Sequence, residues 1–360
     1  MRLTYTAYNE DKIIPLYSGV AVGSIKDRLS NIDFDKVVII TDSNADNLWG
    51  KTLLDELKGI KKEVFVIKPG ESSKSFNQYQ SLCSDILNKE ITKKTVIIAF
   101  GGGVVGNIAG FVAGTLFRGI RFVHIPTTIM SQADSTTGGK QAINTMHGKN
   151  TIGMFYEPEF ILIDYSFLKT LPEREVRSGI AECIKHALCQ DEKLLRKLEK
   201  GKEYVSFQEI IQRTIYLKLR TIKRDRKEIN EGKVLVYGHT IGHAVEILSR
   251  GTLNHGEAVS IGMCCAATLS NRLGLLSFEN KKRHYRVLRK WNLPTEIPQH
   301  IKVEEIIDRL HYDKKVKDSD IEMILLRDVG KVYKKKGRVG LPINEDVLKK
   351  SLKLCYKKDE

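Results

Sequence analysis

The chain has 360 residues, 41% of them apolar, and a formal net charge of +15 from 59 basic against 44 acidic side chains. That apolar content excludes a disordered chain, 8 prolines exclude a collagen-like or mucin-like one, and the length suits two domains. No run approaches the ~18–20 consecutive apolar residues of a membrane helix, and the opening MRLTYTAYNED lacks the apolar core of a signal peptide, so a cytoplasmic protein with no membrane partner is expected.

The first half alternates strand and helix patterns. Val37–Thr41 is an unbroken β-branched run ending in Asp42-Ser43-Asn44, the pattern of a strand buried on both faces that leaves its sheet at a turn. A helix is expected from Leu48 to Leu57, a strand over Glu63–Ile67 closing in Lys68-Pro69-Gly70, and a helix from Ser75 to Leu87. Thr95–Phe100 is a further buried strand. It runs into Gly101-Gly-Gly-Val-Val-Gly106 and a helical stretch, Asn107–Leu116. Gly101, Gly103 and Gly106 fit G-x-G-x-x-G in the strand–helix setting where glycines let a pyrophosphate approach backbone N–H groups. The acidic residue expected about twenty positions on is missing, since Arg121 and His124 stand there. A tight glycine turn in the core is the competing reading. Asp42 is a candidate for a ribose hydroxyl pair, against an Asx turn or a helix N-cap.

Arg118-Gly119 precede a short strand pattern, Phe122–Ile125, which ends in Pro126-Thr127-Thr128. Asp134, Gly138-Gly139-Lys140 and Gly148-Lys149-Asn150 follow. Lysines on glycine-rich loops suit a phosphate; solvated surface turns are the alternative. After about Tyr165 the strand signals thin out. Helices are expected over 174–200, 206–230, 233–249, 255–273, 278–291, 303–311 and 346–356, with a short β pair between Glu322–Leu326 and Lys331–Tyr333. This order implies an α/β domain with a Rossmann-like parallel sheet, residues 1–170, then a mainly α-helical domain, 171–360, with the active site expected in the cleft between them.

The densest polar cluster is Gly238-His239-Thr-Ile-Gly242-His243 with Asn254-His255-Gly-Glu257. His239 and His243 are i, i+4 and share a helical face, and His255 opens another helix. Three of nine histidines within seventeen residues suggest a metal site. Thr240 stands where the zincin motif H-E-x-x-H carries its glutamate. Glu182 is the candidate carboxylate ligand; a plain i, i+3 ion pair with Lys185 is the alternative. The six cysteines form no C-x-x-C pair and read as reduced, mostly buried thiols. The basic clusters Lys223–Lys227, Lys281–Lys290 and Lys334–Lys336 read as solvated faces. No recognition motif accompanies them, so no nucleic-acid partner is expected.

The ordered set GGGVVGNIAGF, FRGIRFVHIPTT, DSTTGGKQAIN, GKNTIG, LPEREVRSGIAECIKHAL, GHTIGHAVE and NHGEAVSIGM resembles the 3-dehydroquinate synthase superfamily, the sugar-phosphate cyclases, from about Asp42 to Lys331. The resemblance implies a dehydroquinate synthase-like fold, an NAD-binding first domain, a helical metal domain and a homodimer. It implies a divalent metal, usually Zn2+ with Co2+ as the alternative, on Glu182, His239 and His255. NAD would contact Asp42, Ser43, Asn44, Glu71, Ser72, Ser73, Lys74, Gly102, Gly103, Val104, Asn107, Thr127, Thr128 and Lys149. A small phosphorylated sugar would meet Asp134, Lys140, Asn150, Lys185, Lys218, His243 and Lys315, with Arg118 reaching the phosphate in the partner subunit's site. Glu228 matches a proton acceptor, with Glu231 nearby, and His243 is the expected proton relay. The implied reaction oxidises a ring carbinol, eliminates phosphate, returns the hydride and closes a carbocycle by an intramolecular aldol step, so NAD acts catalytically.

Departures from the family pattern bear on the substrate. Gly232 and Val236 stand where 3-dehydroquinate synthases carry an arginine and an asparagine, and Asn107 replaces an aspartate. The lost arginine reads the substrate carboxylate, a role that Lys233 could partly take. Asn107, Gly232, Tyr237-Gly-His-Thr-Ile-Gly and Lys140-Gln141 are more similar to 2-deoxy-scyllo-inosose synthases, which act on glucose 6-phosphate. Those enzymes place glutamate at the Val236 position and lack the Gly138-Gly139 pair. The chain therefore leans to glucose 6-phosphate, with 3-deoxy-arabino-heptulosonate 7-phosphate as the alternative. A metal-dependent, glycerol-type dehydrogenase shares the architecture, but a simple alcohol needs no such set of lysines.

Overall fold

The computed structural model describes residues 2–6, 12–19, 21–314 and 320–356. The chain divides into two compact units, Met1–Pro172 and Glu173–Glu360. In the first unit lie β1 (Arg2–Thr6), β2 (Ile13–Gly19), β3 (Val37–Asp42), β4 (Lys62–Ile67), β5 (Val96–Gly101), β6 (Phe122–Pro126), β7 (Lys140–Thr145), β8 (Gly148–Phe155) and β9 (Ile161–Asp164). Seven of them form one sheet in the order β1-β2-β9-β6-β5-β3-β4, parallel except for the edge pair β1–β2.

The apolar runs explain this sheet. Val37 and Ile39 pack into the cluster on one face, with Leu29 and Leu53, while Val38 and Ile40 pack on the other with Leu82, Ile108 and Val112. A strand buried on both faces cannot alternate apolar with polar, so it reads as a continuous run. From β3 the chain moves outward to β4 and then back across to β5. That reversal opens a crevice at the carboxyl ends of β3 and β5, where α/β sheets take ligands. The buried Asp164 ties this end together, its Oδ2 accepting the Ala21 and Val22 N–H groups at 2.8 and 3.0 Å.

Several expected elements need correction. The helix expected from Leu48 begins earlier, because the Asp42 side chain caps the turn at Asn44 and Ala45. The Gly138–Asn150 region is a β7–β8 hairpin, with Lys140 opposite Phe155, rather than two loops. In the second unit, the helix expected over 174–200 is two, Glu173–Gln190 and Glu192–Lys200. It is cut at Asp191, whose carboxylate caps Lys193 and Leu194. The helix Phe207–Arg224 stops short of 230, and the stretch expected over 233–249 splits at Gly238 into a 3-10 turn, Glu231–Val236, and the helix His239–Leu248. Gly238 has φ +79°, and a Cβ there would also lie 2.7 Å from Met263 Cγ, so both backbone and packing demand glycine. The expected β pair has different partners: Leu326–Asp328 pairs with Lys331–Val332, but Asp320–Met323 pairs with Leu341–Asn344. The helices His255–Arg272, Phe278–Lys290, Val303–Lys314 and Glu345–Leu352 also lie in this unit. All six cysteines are free thiols, five of them buried. No described helix is long and apolar enough to cross a membrane.

One buried group makes the first unit acid-sensitive. His124 lies in β6 at 2% exposure, edge-on to Phe122, and burial pushes its pKa down to about 3. The unfolded chain protonates it near pH ~6.5, so from there down to roughly 3 the unfolded state binds the extra proton. Stability should fall by about 1.4 kcal/mol per pH unit as pH drops through that window. Denaturant unfolding at pH 7 and pH 5 is expected to show a shallower loss in His124→Gln. Identical losses would refute the assignment.

Candidate active site

Two clusters of the anticipated residues form, one in each unit. In the first unit, Asp42 ends β3 and divides its carboxylate. Oδ1 accepts the N–H groups of Asn44 and Ala45, and Oδ2 faces the glycine turn, 3.2 Å from where a Gly101 Cβ would stand. Gly102 precedes the helix Gly103–Thr115 and, having no side chain, leaves the first-turn N–H groups uncapped. Side chains here would crowd the protein itself: a Cβ on Gly102 or Gly103 lies 3.2 Å from Thr128 Cγ2 or Ser135 Oγ. A 13-residue helix with an uncapped glycine start is a suitable cradle for a pyrophosphate. Thr127 is anchored by its N–H to Gly101 O, and Thr128 exchanges hydrogen bonds with Ser131. Asn107 turns back along its helix and donates to Gly103 O at 2.8 Å.

The Glu71–Lys74 segment after β4 is joined to the β7–β8 hairpin. Asn144 donates to Glu71 Oε1 at 2.8 Å and accepts the Asn150 N–H at 2.9 Å, and its own N–H meets Lys74 O at 2.8 Å. Lys74 is nearly buried and hydrogen-bonds Asn150 Oδ1. Burial holds its pKa below the ordinary lysine value; Glu71 opposes that shift and Lys149 adds to it. Lys140, Lys149 and Asn150 are exposed on the hairpin, and Asp134 sits half-buried in the segment Ser131–Ser135.

In the second unit, Glu182 and Lys185 come from the helix Glu173–Gln190, His239 and His243 from His239–Leu248, and His255 from the first position of His255–Arg272. The three imidazoles gather edge-on or tilted to one another, with centroids 5.1, 5.4 and 5.6 Å apart, and their ligand nitrogens lie within 4.8 Å of one another. Glu182 is fully buried and serves two masters: Oε2 takes the Lys185 ammonium at 2.5 Å, while Oε1 lies 3.5 Å from both His239 Nε2 and His255 Nε2. The i, i+3 ion pair with Lys185 is formed, and it leaves Oε1 facing the two imidazoles. A separation of 3.5 Å is long for a hydrogen bond. It is close to the roughly 3.4 Å edge that separates N and O ligands around a tetrahedral ion at about 2.1 Å. Two imidazole nitrogens and a carboxylate oxygen form a donor set that suits Zn2+ or Co2+. The two rings are shifted in opposite directions. Burial lowers the His239 pKa to about 3 against the pull of Glu182, whereas for His255 the Glu182 and Glu246 carboxylates overcome burial and raise it to about 9.

Lys185, 2% exposed, also donates to Leu235 O at 2.6 Å, a contact across fifty residues that no spacing pattern announces. Lys218 is half-buried on Phe207–Arg224. Arg118, Asn150 and Glu228 all have left-handed backbones, with φ of 65°, 55° and 55°. Such conformations cost of order 1–3 kcal/mol each and collect where function holds them. Glu228 is carried by a loop that the Asp225 carboxylate closes, accepting the N–H groups of Asn230 and Gly232 at 2.6 and 3.0 Å. Asp225 and Glu246 were not foreseen from the sequence, although Glu246 lies seven residues after His239, two turns along one face. Lys315 lies outside the described residues.

The 3-dehydroquinate synthase N-terminal family matches residues 64–178 and the C-terminal family matches 179–316. The 3-dehydroquinate synthase of Dehalococcoides mccartyi is 40% identical over 307 residues, 83% of this chain and 85% of that protein. That of Desulforamulus reducens is 39% identical over 306 residues, covering 82% and 85%. A 2-deoxy-scyllo-inosose synthase solved with carbaglucose-6-phosphate, NAD+ and Co2+ superposes with a TM-score of 0.89 at 28% identity, over 99% of this chain and 100% of that one. With both family models matched in order and 39–40% identity to 3-dehydroquinate synthases over 82–83% of its length, the chain belongs to the 3-dehydroquinate synthase superfamily, carbon–oxygen lyases that form carbocycles.

Proposed function

We propose that this protein is an NAD- and divalent-metal-dependent sugar-phosphate cyclase acting on glucose 6-phosphate. The observation that carries the substrate choice is Gly232. A Cβ at this position would lie 2.3 Å from Asp225 O and 3.1 Å from Glu228 Cγ, so the loop as folded has no room for the arginine that reads a heptulosonate carboxylate. Lys233 does not replace it, because its ammonium is held by Glu322 at 2.8 and 3.0 Å. Val236 offers no amide. A substrate without a carboxylate suits this loop.

Glu182, His239 and His255 would hold the metal, and the Asp42–Asn44, Glu71–Lys74, Gly102–Val104 and Thr127–Thr128 segments, with Asn107 and Lys149, would hold NAD. Bound, these groups supply an electrophile for the carbinol oxygen and a reversible hydride acceptor. Lys185, pinned between Glu182 and Leu235 O, is a fixed buried cation beside the reacting hydroxyl. His243, exposed and next to His239, moves protons, and Glu228 accepts one from its strained loop. Lys140, Asn150, Lys218 and Asp134 read the phosphate and ring hydroxyls, with Lys315 from the segment after the helix Val303–Lys314. Arg118 serves the partner subunit's site in a homodimer.

The second reading is 3-dehydroquinate synthase proper, favoured by 39–40% identity to enzymes of that name against 28% to the inosose synthase. One assay separates them: purified protein, sub-stoichiometric NAD+, Zn2+ or Co2+, and either glucose 6-phosphate or 3-deoxy-arabino-heptulosonate 7-phosphate. Inorganic phosphate in excess of NAD+ from the hexose phosphate alone is expected. Release from the heptulosonate alone would establish the second reading, and stoichiometric NADH without phosphate would sink both.

A further inference from the structure

The two ring nitrogens of His255 face two different carboxylates. Nε2 lies 3.5 Å from Glu182 Oε1, and Nδ1 lies 3.2 Å from Glu246 Oε2. His239 is supported differently, its Nδ1 facing the Tyr237 backbone carbonyl at 3.1 Å. A neutral imidazole that donates its Nδ1 proton offers the Nε2 lone pair, so both rings are set to present Nε2 toward Glu182. For His239 the acceptor is main chain, fixed by the turn before the helix. For His255 it is a side chain, and that side chain is only 9% exposed.

Glu246 reaches this position because it shares a face of the helix His239–Leu248 with His239 and His243, at i+7 and i+3. A glutamate on that inward face loses hydration, which an exposed surface pair would never require of it. We propose that Glu246 is a positioning residue that fixes the tautomer and ring orientation of His255 for the metal and strengthens that imidazole as a ligand. This rests on the reading of Glu182, His239 and His255 as the metal ligands. In this role Glu246 acts through His255, and its effect runs through metal affinity.

The test is Zn2+ affinity of the stripped full-length protein, measured by competition with a chromophoric chelator, together with the visible spectrum of the Co2+-loaded form. Glu246→Ala should bind Zn2+ roughly 10- to 100-fold more weakly and alter the Co2+ spectrum. Glu246→Gln, which keeps an acceptor oxygen without the charge, should fall between wild type and alanine. Wild-type affinity, within twofold, in a folded Glu246→Ala protein overturns the proposal whatever its turnover. Should the alanine variant not fold, unchanged affinity in Glu246→Gln overturns it instead. A wild-type protein that binds no Zn2+ removes the metal reading itself, a different result from a wild type and a variant that bind equally.

Discussion

His239→Ala is expected to abolish metal retention and turnover together. Loss of one of three protein ligands should release the ion in a chelator-washed sample, and the several kcal/mol of charge stabilisation that a metal supplies corresponds to a loss of ~10³-fold or more in turnover. The fold should survive, since the side chain contributes one hydrogen bond to a backbone carbonyl, worth about 1 kcal/mol. His243→Ala is the necessary contrast. The geometry offers two donor sets, three imidazoles or two imidazoles with Glu182, because His243 also brings a nitrogen within 4.8 Å of its neighbours. If Glu182 is the third ligand, His243→Ala keeps its metal and loses turnover. Metal analysis of the two purified variants decides the matter. A metal-bearing, active His239→Ala protein would overturn the site.

The parts of this molecule that the sequence announced are those governed by local periodicity. Val37–Thr41 and Thr95–Phe100 are buried on both faces, so their β-branched runs have no competing helical reading. The histidine spacing was legible for the same reason: i, i+4 is a statement about one helix. Residues of the β7–β8 hairpin are largely exposed on β8, with a tip at Met146 and His147, so no apolar alternation marked it as paired strands. Gly238 looked like a residue within a helix because apolar residues continue on both sides of it; its left-handed backbone, φ +79°, and the close approach of Met263 show why the helix starts there. The support for the site was hidden at every point where it is tertiary. Leu235 O meets Lys185 across fifty positions, and Glu246 meets a histidine on a different helix. The loop closed by Asp225 could be read only as polar. Its consequence, a position 232 that admits no side chain, emerges from backbone packing.

Gly262→Ala should do more damage than its single methyl suggests, because glycines set the spacing of the three helices that carry the proposed ligands. A Cβ at Gly262 would lie 2.0 Å from Gly238 O and 2.7 Å from Gly242 N, pressing on the backbone that begins the His239 helix. Gly256 makes the equivalent approach to the Glu182 helix, its Cβ position 2.2 Å from Ser178 O. Backbone cannot rotate away as a side-chain tip can, so the helices must separate. Alanine gains about 0.5–1 kcal/mol of helix propensity over glycine. Overpacking against main chain costs about 3 kcal/mol or more, and it wins. The net loss of about 2 kcal/mol or more corresponds, for a unit of this size, to a fall of roughly 4–10 °C in thermal midpoint. Displacing His239 and His243 against His255 should weaken Zn2+ binding at temperatures where the variant is still folded. Gly251→Ala makes the control: its φ of +86° carries a left-handed cost of about 1–2 kcal/mol, but nothing lies within 4 Å of the added carbon, and its metal affinity should be unchanged. A Gly262→Ala protein that melts with the wild type and binds Zn2+ as tightly would mean that the glycine contacts do not set the ligand geometry.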